Sequence, residues 1–211
     1  MKQDGTIELF HYWNRLRNGR PAPRRTDVEP ADIKRLLADT FILEKAADGL
    51  PTFRLAGTRL CATFGRELKG YSFLSLWRER DQALIARTIE SAFEARAVVV
   101  VVFEGASSNA HTHEFELIAL PLDGGRFHPR VLGSMAAGNR PYWIGADPIV
   151  ECQIASVRVV DPEREPLFLK NRPALSVPPL APDATAFTET VRPGTGRRIR
   201  HLVVYNGGRG N

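Results

Sequence analysis

The chain has 211 residues, enough for one domain with extensions or two very small domains. Its 43% hydrophobic content can fill one core, yet no stretch nears the roughly 18–20 uninterrupted apolar residues of a membrane span. Residues 164–211 hold eight Lys/Arg against three Asp/Glu while residues 1–163 balance, so the net charge of +5 sits in a tail rather than on the folded body.

The first element predicted is a helix over Thr6–Arg17. Leu9, Tyr12, Trp13 and Leu16 recur at helical spacing on one apolar face. Thr6 suits the start, Gly19 the end, and Pro21 forbids continuation. Large residues dominate that face, so it packs on the body or on a second copy of the chain, and these four residues are the candidate dimer face. The N-terminus ahead of it, Met1–Gly5, lacks the apolar core of a secretory signal, which leaves the cytoplasm as the expected location. Residues 19–25 form an extended basic connector held open by prolines. A short second helix is predicted over Pro30–Ala38, with Ile33, Leu36 and Leu37 on its buried edge.

From Phe41 the apolar period changes. Phe41–Glu44 and Thr52–Leu55 flank a turn at Asp48-Gly49, which reads as a hairpin. A short helix then carries Leu60 and Phe64 inward and closes at Gly65. Gly70 begins a second turn that brings Phe73, Leu74 and Trp77 in. Glycine fits both breaks because it takes a positive φ without a steric penalty. Asp81–Arg96 is the strongest helix signal, with Ile85, Ile89, Ala92 and Phe93 on one face. Val98–Phe103 carries five valines and reads as a covered strand. Glu114–Leu117 and Val131–Ala137 are the fourth and fifth strands. Gln153–Val160 alternates enough for a sixth strand or an extended crossing segment. Prolines crowd 166–193 as in a linker or tail, and Arg197–Tyr205 reads as one short strand on a basic lead-in.

Strands joined by short loops around a helical crossover predict an α+β fold: a five-stranded antiparallel sheet with helices on one face and an N-terminal helical extension. The strand order around Gly57–Trp77 resembles the PAS fold over about residues 41–138. The run Trp13-x-x-Leu16-Arg17-x-Gly19-Arg20, followed by Pro23, Arg25, Asp27 and Pro30, is similar to the opening of a bacterial PAS-containing family. The resemblance implies a sensory or docking module. The expected divisions are 1–40, the N-terminal helical extension; 41–138, the PAS-like domain; 139–163, a C-terminal extension; and 164–211, a Pro-rich basic tail.

PAS subtypes differ in the residues they need. Flavin photoreceptors carry a reactive cysteine in the turn that here reads Gly70-Tyr71-Ser72-Phe73-Leu74, and no cysteine is there. Haem-binding members use a histidine in the long helix, and residues 81–96 contain none. No cofactor is expected by either route. Cys61 and Cys152 have no paired spacing and read as reduced thiols. His111 and His113 share a strand face, with His128 across a hairpin, yet three or four ligands with outer support are needed for a metal, and none is expected. No nucleophile triad, phosphate loop or carboxylate pair stands out, so no catalytic role is expected.

Three functions remain open at the level of sequence. In the first, the chain is a non-catalytic regulatory adaptor that docks another signalling protein and forms a homodimer. In the second, it senses a small ligand in a pocket walled by Leu60, Phe64, Trp77, Ile85 and Ile89. In the third, Arg197, Arg198 and Arg200 of the tail bind a nucleotide or nucleic acid.

Overall fold

The aromatic periodicity near the N-terminus forms helix α1, Asp4–Arg17. It starts two residues earlier than expected, because Thr6 is inside the first turn. Its single hydroxyl proton is shared between the Gln3 carbonyl, at 2.8 Å, and the carboxylate of Glu116. Asn18 (φ 46°) and Gly19 (φ 76°) then turn the chain out of the helix. The connector that follows has three 3-10 turns, Arg25–Asp27, Pro30–Ile33 and Leu37–Asp39. The helix expected over Pro30–Ala38 is thus two separate turns. A segment this short does not offset the cost of helix nucleation, and burial of Ile33 and Leu36 holds it instead.

This computed structural model describes residues 1–124 and 129–163, together with the backbone of 196–199 and 202–205. The chain divides into two units, Met1–Lys170 and Asn171–Asn211. In the first unit the strands are β1 (Thr40–Lys45), β2 (Pro51–Ala56), β3 (Val98–Ser107), β4 (Thr112–Leu122), β5 (Arg130–Ala137) and β6 (Ile149–Val160). They make one antiparallel sheet in the order β2-β1-β5-β4-β3-β6. Six strands replace the five expected, because β6 pairs along the whole length of β3 rather than crossing the sheet. In the second unit β7 (Gly196–Ile199) and β8 (Leu202–Tyr205) form a two-stranded antiparallel hairpin, where one strand was expected.

Alternation along the strands gives the sheet two apolar faces. Phe41, Leu43, Val99, Val101, Leu117 and Val131 point to an inner layer, which is covered by α2 (Thr58–Thr63), a 3-10 turn at Phe73–Leu76 and α3 (Glu79–Glu94). Ile42, Val98, Val100, Ile118, Leu120 and Leu132 point to the outer layer, where Leu9, Phe10, Tyr12 and Trp13 of α1 cover them. A sheet buried on both faces needs a cover on each. The candidate dimer face is therefore corrected: Leu9, Tyr12 and Trp13 are buried against the chain's own sheet and Leu16 is packed at its margin, so their partner is the body and not a second copy.

The decisive attachment is polar. Glu116 projects from β4 into the outer layer, is only 3% exposed, and accepts from the backbone N–H of Lys2 (2.9 Å) and Gln3 (3.1 Å) as well as from Thr6. A carboxylate at a helix start meets the unpaired N–H groups and the positive end of the helix dipole. Farther along, Trp13 Nε1 donates to the Pro121 carbonyl at 2.7 Å, and Arg17 pairs with Glu163 at 2.8 Å.

Two variants test this packing. Glu116→Ala leaves the Lys2 and Gln3 N–H groups ahead of α1 unpaired and should lower unfolding free energy by about 2–3 kcal/mol in urea titration, with faster amide exchange in α1. Unchanged stability and exchange would contradict the anchoring role. Gly133→Ala would put a methyl 2.2 Å from Phe41 Cζ and 2.6 Å from the Ile118 carbonyl. It should destabilise by about 1–3 kcal/mol, and a neutral result would mean the β1–β5 contact is looser than it stands here.

Candidate functional site

The glycines at the two breaks of the crossover behave as the sequence suggested. Gly65 (φ 64°) ends the turn after α2, and Gly70 (φ 83°) donates its N–H to the Phe53 carbonyl at 2.7 Å, which starts the next turn. Gly57 has a different job. A Cβ there would lie 2.2 Å from the Leu37 carbonyl, so only glycine lets the connector cross this close. These breaks aim Leu60, Phe64 and Trp77 at the sheet, and α3 adds Ile85 and Ile89.

All five candidate pocket residues meet in one cluster, and each is between 0 and 7% exposed. A run of rings crosses the same layer: Phe41 against Phe53 at 5.8 Å, Phe53 against Phe73 at 5.5 Å, Phe73 against Trp77 at 5.7 Å, Trp77 against Phe103 at 5.0 Å, and Phe103 against Phe115 at 5.2 Å. Contacts of this type add about 0.5–1.5 kcal/mol each beyond the area they bury. The rings occupy the space between sheet and helices. Within this inner cluster one polar atom is left over: Trp77 Nε1 is buried and has no acceptor among the described residues.

The histidine pair lies at the far end of the ring column. His111 stacks on Trp143 at 5.1 Å, and His113 stands edge-on to Phe115 at 5.5 Å. His113 Nε2 is 2.7 Å from the Gly138 carbonyl, and His111 Nδ1 is 2.8 Å from Asp147 Oδ2. The ring nitrogens thus have separate partners, although both rings touch Trp143. Among the described residues no group of three metal-binding side chains forms, and His128 lies outside them.

Asp147 is the member that sequence reading missed. Its carboxylate accepts from Ser107 Oγ at 2.6 Å and meets His111, which ties the turn before β6 to the β3–β4 hairpin. The serine and the histidine both address the carboxylate, and no serine-to-imidazole contact forms. Through these bonds the group fastens the turn before β6 to the β3–β4 hairpin. Forty residues separate Ser107 from Asp147, and no local spacing announces the pair.

The thiols are ordinary. Burial pushes the Cys61 thiol up, and burial drives that of Cys152 far higher. Of the tail arginines, Arg197 and Arg198 fall on β7, whereas Arg200 lies outside the described residues.

Asp147 makes a pH test possible. The Ser107 hydroxyl, and after it His111, hold its carboxyl below the ordinary carboxylate range. A depressed folded value means its stabilisation is complete above the unfolded value near ~3.9 and is lost as pH falls through the folded one. Asp147→Asn should lower the melting temperature at neutral pH and flatten the acid limb below about pH 4. A variant with the same melting temperature and the same acid limb as the parent would contradict the fastening.

Comparison with known proteins places these elements. A structure titled "Crystal Structure of Rhodobacter Sphaeroides LOV protein" aligns with a TM-score of 0.40 and 16% identity, over 55% of this chain and 71% of that one, too loose a likeness to argue from. A comparison with curated proteins finds no match. A family model described as PAS domain matches residues 1–136, which takes in α1, the connector and the strands to within one residue of the end of β5. PAS domains are sensory and signalling modules, and with that match over more than half its length the chain belongs to the PAS domain family.

Proposed function

We propose that this PAS protein is a regulatory docking adaptor whose signal passes through a protein contact rather than through a ligand held between sheet and helices. The observation that supports this most is the closed ring column from Phe53 to Phe115, set among five candidate pocket residues that are all buried. Small-ligand sites are commonly clefts of about 300–1,000 Å³, and a run of aromatic side chains in mutual contact passes through the space where one would sit.

A contact surface is available at the opposite edge of the sheet from β2. The strand β6 is an edge strand of twelve residues. The start of α3 bonds its edge only between Cys152 and Ile154, since Arg78 N donates to the Cys152 carbonyl at 3.0 Å and Ile154 N donates to Asp81 at 3.0 Å. Val150 and Val159 are 60% and 65% exposed along it. Exposed aliphatic residues on a sheet edge suit strand addition or packing by another signalling protein, with a second copy as the other candidate.

One observation favours the small-ligand reading. The orphaned Trp77 Nε1 is a donor that a ligand acceptor would satisfy. Native mass spectrometry of the purified chain separates the two. The bare mass is expected, and a small molecule that is retained, and lost in Trp77→Phe, would overturn the docking reading.

The adaptor reading has its own test. Parent protein and a Val150→Glu/Val159→Glu variant serve as baits in extract of the native cell, with light scattering to detect self-association. The parent should hold a protein, or a second copy, that the variant releases. Identical recovery by both baits would contradict docking on β6.

A further inference from the structure

A site of a different kind lies at the β1–β2 end of the sheet, where it borders the ring column at Phe41 and Phe53 and is remote from β6. The connector crosses β1 and β2 and leaves two adjoining clefts beneath it, of about 320 Å³ and 240 Å³. They share Arg25 and Leu55. The larger is cationic: Arg25, Arg54, Lys69 and Arg130 line it, against the single carboxylate of Glu44. Glu44 is engaged by Arg54 at 3.2 Å. Arg25, Lys69 and Arg130 have no acidic partner among the described residues, and Nε of both Arg25 and Arg130 is buried without an acceptor. The smaller cleft is apolar, walled by Ile33, Leu37, Ile42, Leu55 and Leu132.

The surrounding charges make the arginines conspicuous. Arg20 in the same connector bonds the Leu16 and Arg17 carbonyls and pairs with Asp27 at 2.8 Å. Asp27 in turn accepts from the Arg24 N–H at 3.0 Å. Those residues close the connector. Arg25 contributes only its backbone, whose N–H donates to the Asp123 carbonyl at 3.0 Å, and its guanidinium is left over the cleft. Buried guanidinium N–H groups without acceptors are unfavourable, and two such groups at one cleft repel each other. A planar or tetrahedral oxyanion satisfies both conditions at once.

We infer that the paired clefts bind a small amphiphilic anion, with a carboxylate or phosphate head among Arg25, Lys69 and Arg130 and a short apolar arm against Leu55, Ile33 and Leu132. The smaller cleft accommodates an arm of several carbons, which sets this ligand apart from free phosphate. The site lies under the segment that joins α1 to the sheet, so occupancy stiffens that joint. It goes beyond the docking reading and does not depend on it, because β6 is at the other edge.

The test is titration of isotope-labelled full chain, followed by amide shifts, with four probes: octanoate, octyl phosphate, 1-octanol and inorganic phosphate. At least one of the two amphiphilic anions should bind saturably, with a Kd of about 100 µM or tighter, and shift Arg25, Leu55 and Arg130 rather than Ile89. The head group that binds more tightly identifies the source as carboxylate or phosphate. Arg130→Gln should weaken it about tenfold and Leu55→Asn should bring octyl phosphate close to inorganic phosphate. Lys69→Gln, at an exposed position, gives the same reading should Arg130→Gln fail to fold. The inference is overturned by absence of saturable binding by both anions, by octanol binding as tightly as they do, by inorganic phosphate matching octyl phosphate in the parent, or by shifts centred on Ile89.

Discussion

One buried carboxylate organises the outer half of this molecule. Glu116 sits in the middle of β4 on the face away from α3, where an unpaired charge would be strongly unfavourable. The N–H groups of Lys2 and Gln3, just ahead of α1, and Thr6 in its first turn make it tolerable, and the helix in exchange is held at its start over the sheet. Directionality matters here. Apolar contact alone would let α1 slide along Ile118, Leu120 and Leu132, whereas bonds to a fixed carboxylate set its register. Burial then supplies the magnitude. Four large side chains at about 1.5–3 kcal/mol each rival the net stability of a whole domain, about 5–15 kcal/mol. The helix is therefore part of the fold.

The connector follows from that placement. With α1 fixed over β4 and β5, residues 19–39 must return across β1 and β2 to enter the sheet, and the Arg20–Asp27 pair folds them tightly enough to do so. Tyr12 adds a second tie, since its hydroxyl accepts from the Glu29 N–H at 2.8 Å. The residues of the Trp13-to-Pro30 motif thus mostly hold the connector closed, and the clefts beneath it are the space that this route leaves. Structure on the inner side obeys a different rule. There the glycine breaks at Gly57, Gly65 and Gly70 bring short elements in close, and rings fill what remains.

Much of this was legible in the chain. The valine run of β3, the face of α3 and the glycine pair after β2 are local signals, because strand and helix periods and positive φ are properties of neighbouring residues. The face of α1 was legible too, but its destination was not. Only Glu114–Leu117 of β4 is a clear alternating strand in sequence, so the outer apolar set from Ile118 to Leu122 had no visible strand to belong to. The start of β6 escaped for a related reason: Ile149–Cys152 mixes polar and apolar residues under the cover of Trp77 and Arg78, and not on a simple alternating face. Asp147 and the Arg25–Arg130 pair join residues far apart in sequence, and only the fold brings them together.

A closed inner layer is what separates a contact-driven PAS protein from a ligand-driven one. Interiors pack to the density of organic crystals, but an apolar void of about 150 Å³ stays dry and takes up xenon. Crystals of the chain under xenon pressure measure this directly. With the rings as they stand, no xenon site should appear between Ile85, Ile89 and the sheet. An ordered xenon atom against those residues would show that the layer opens to guests, and the contact-driven account would fail.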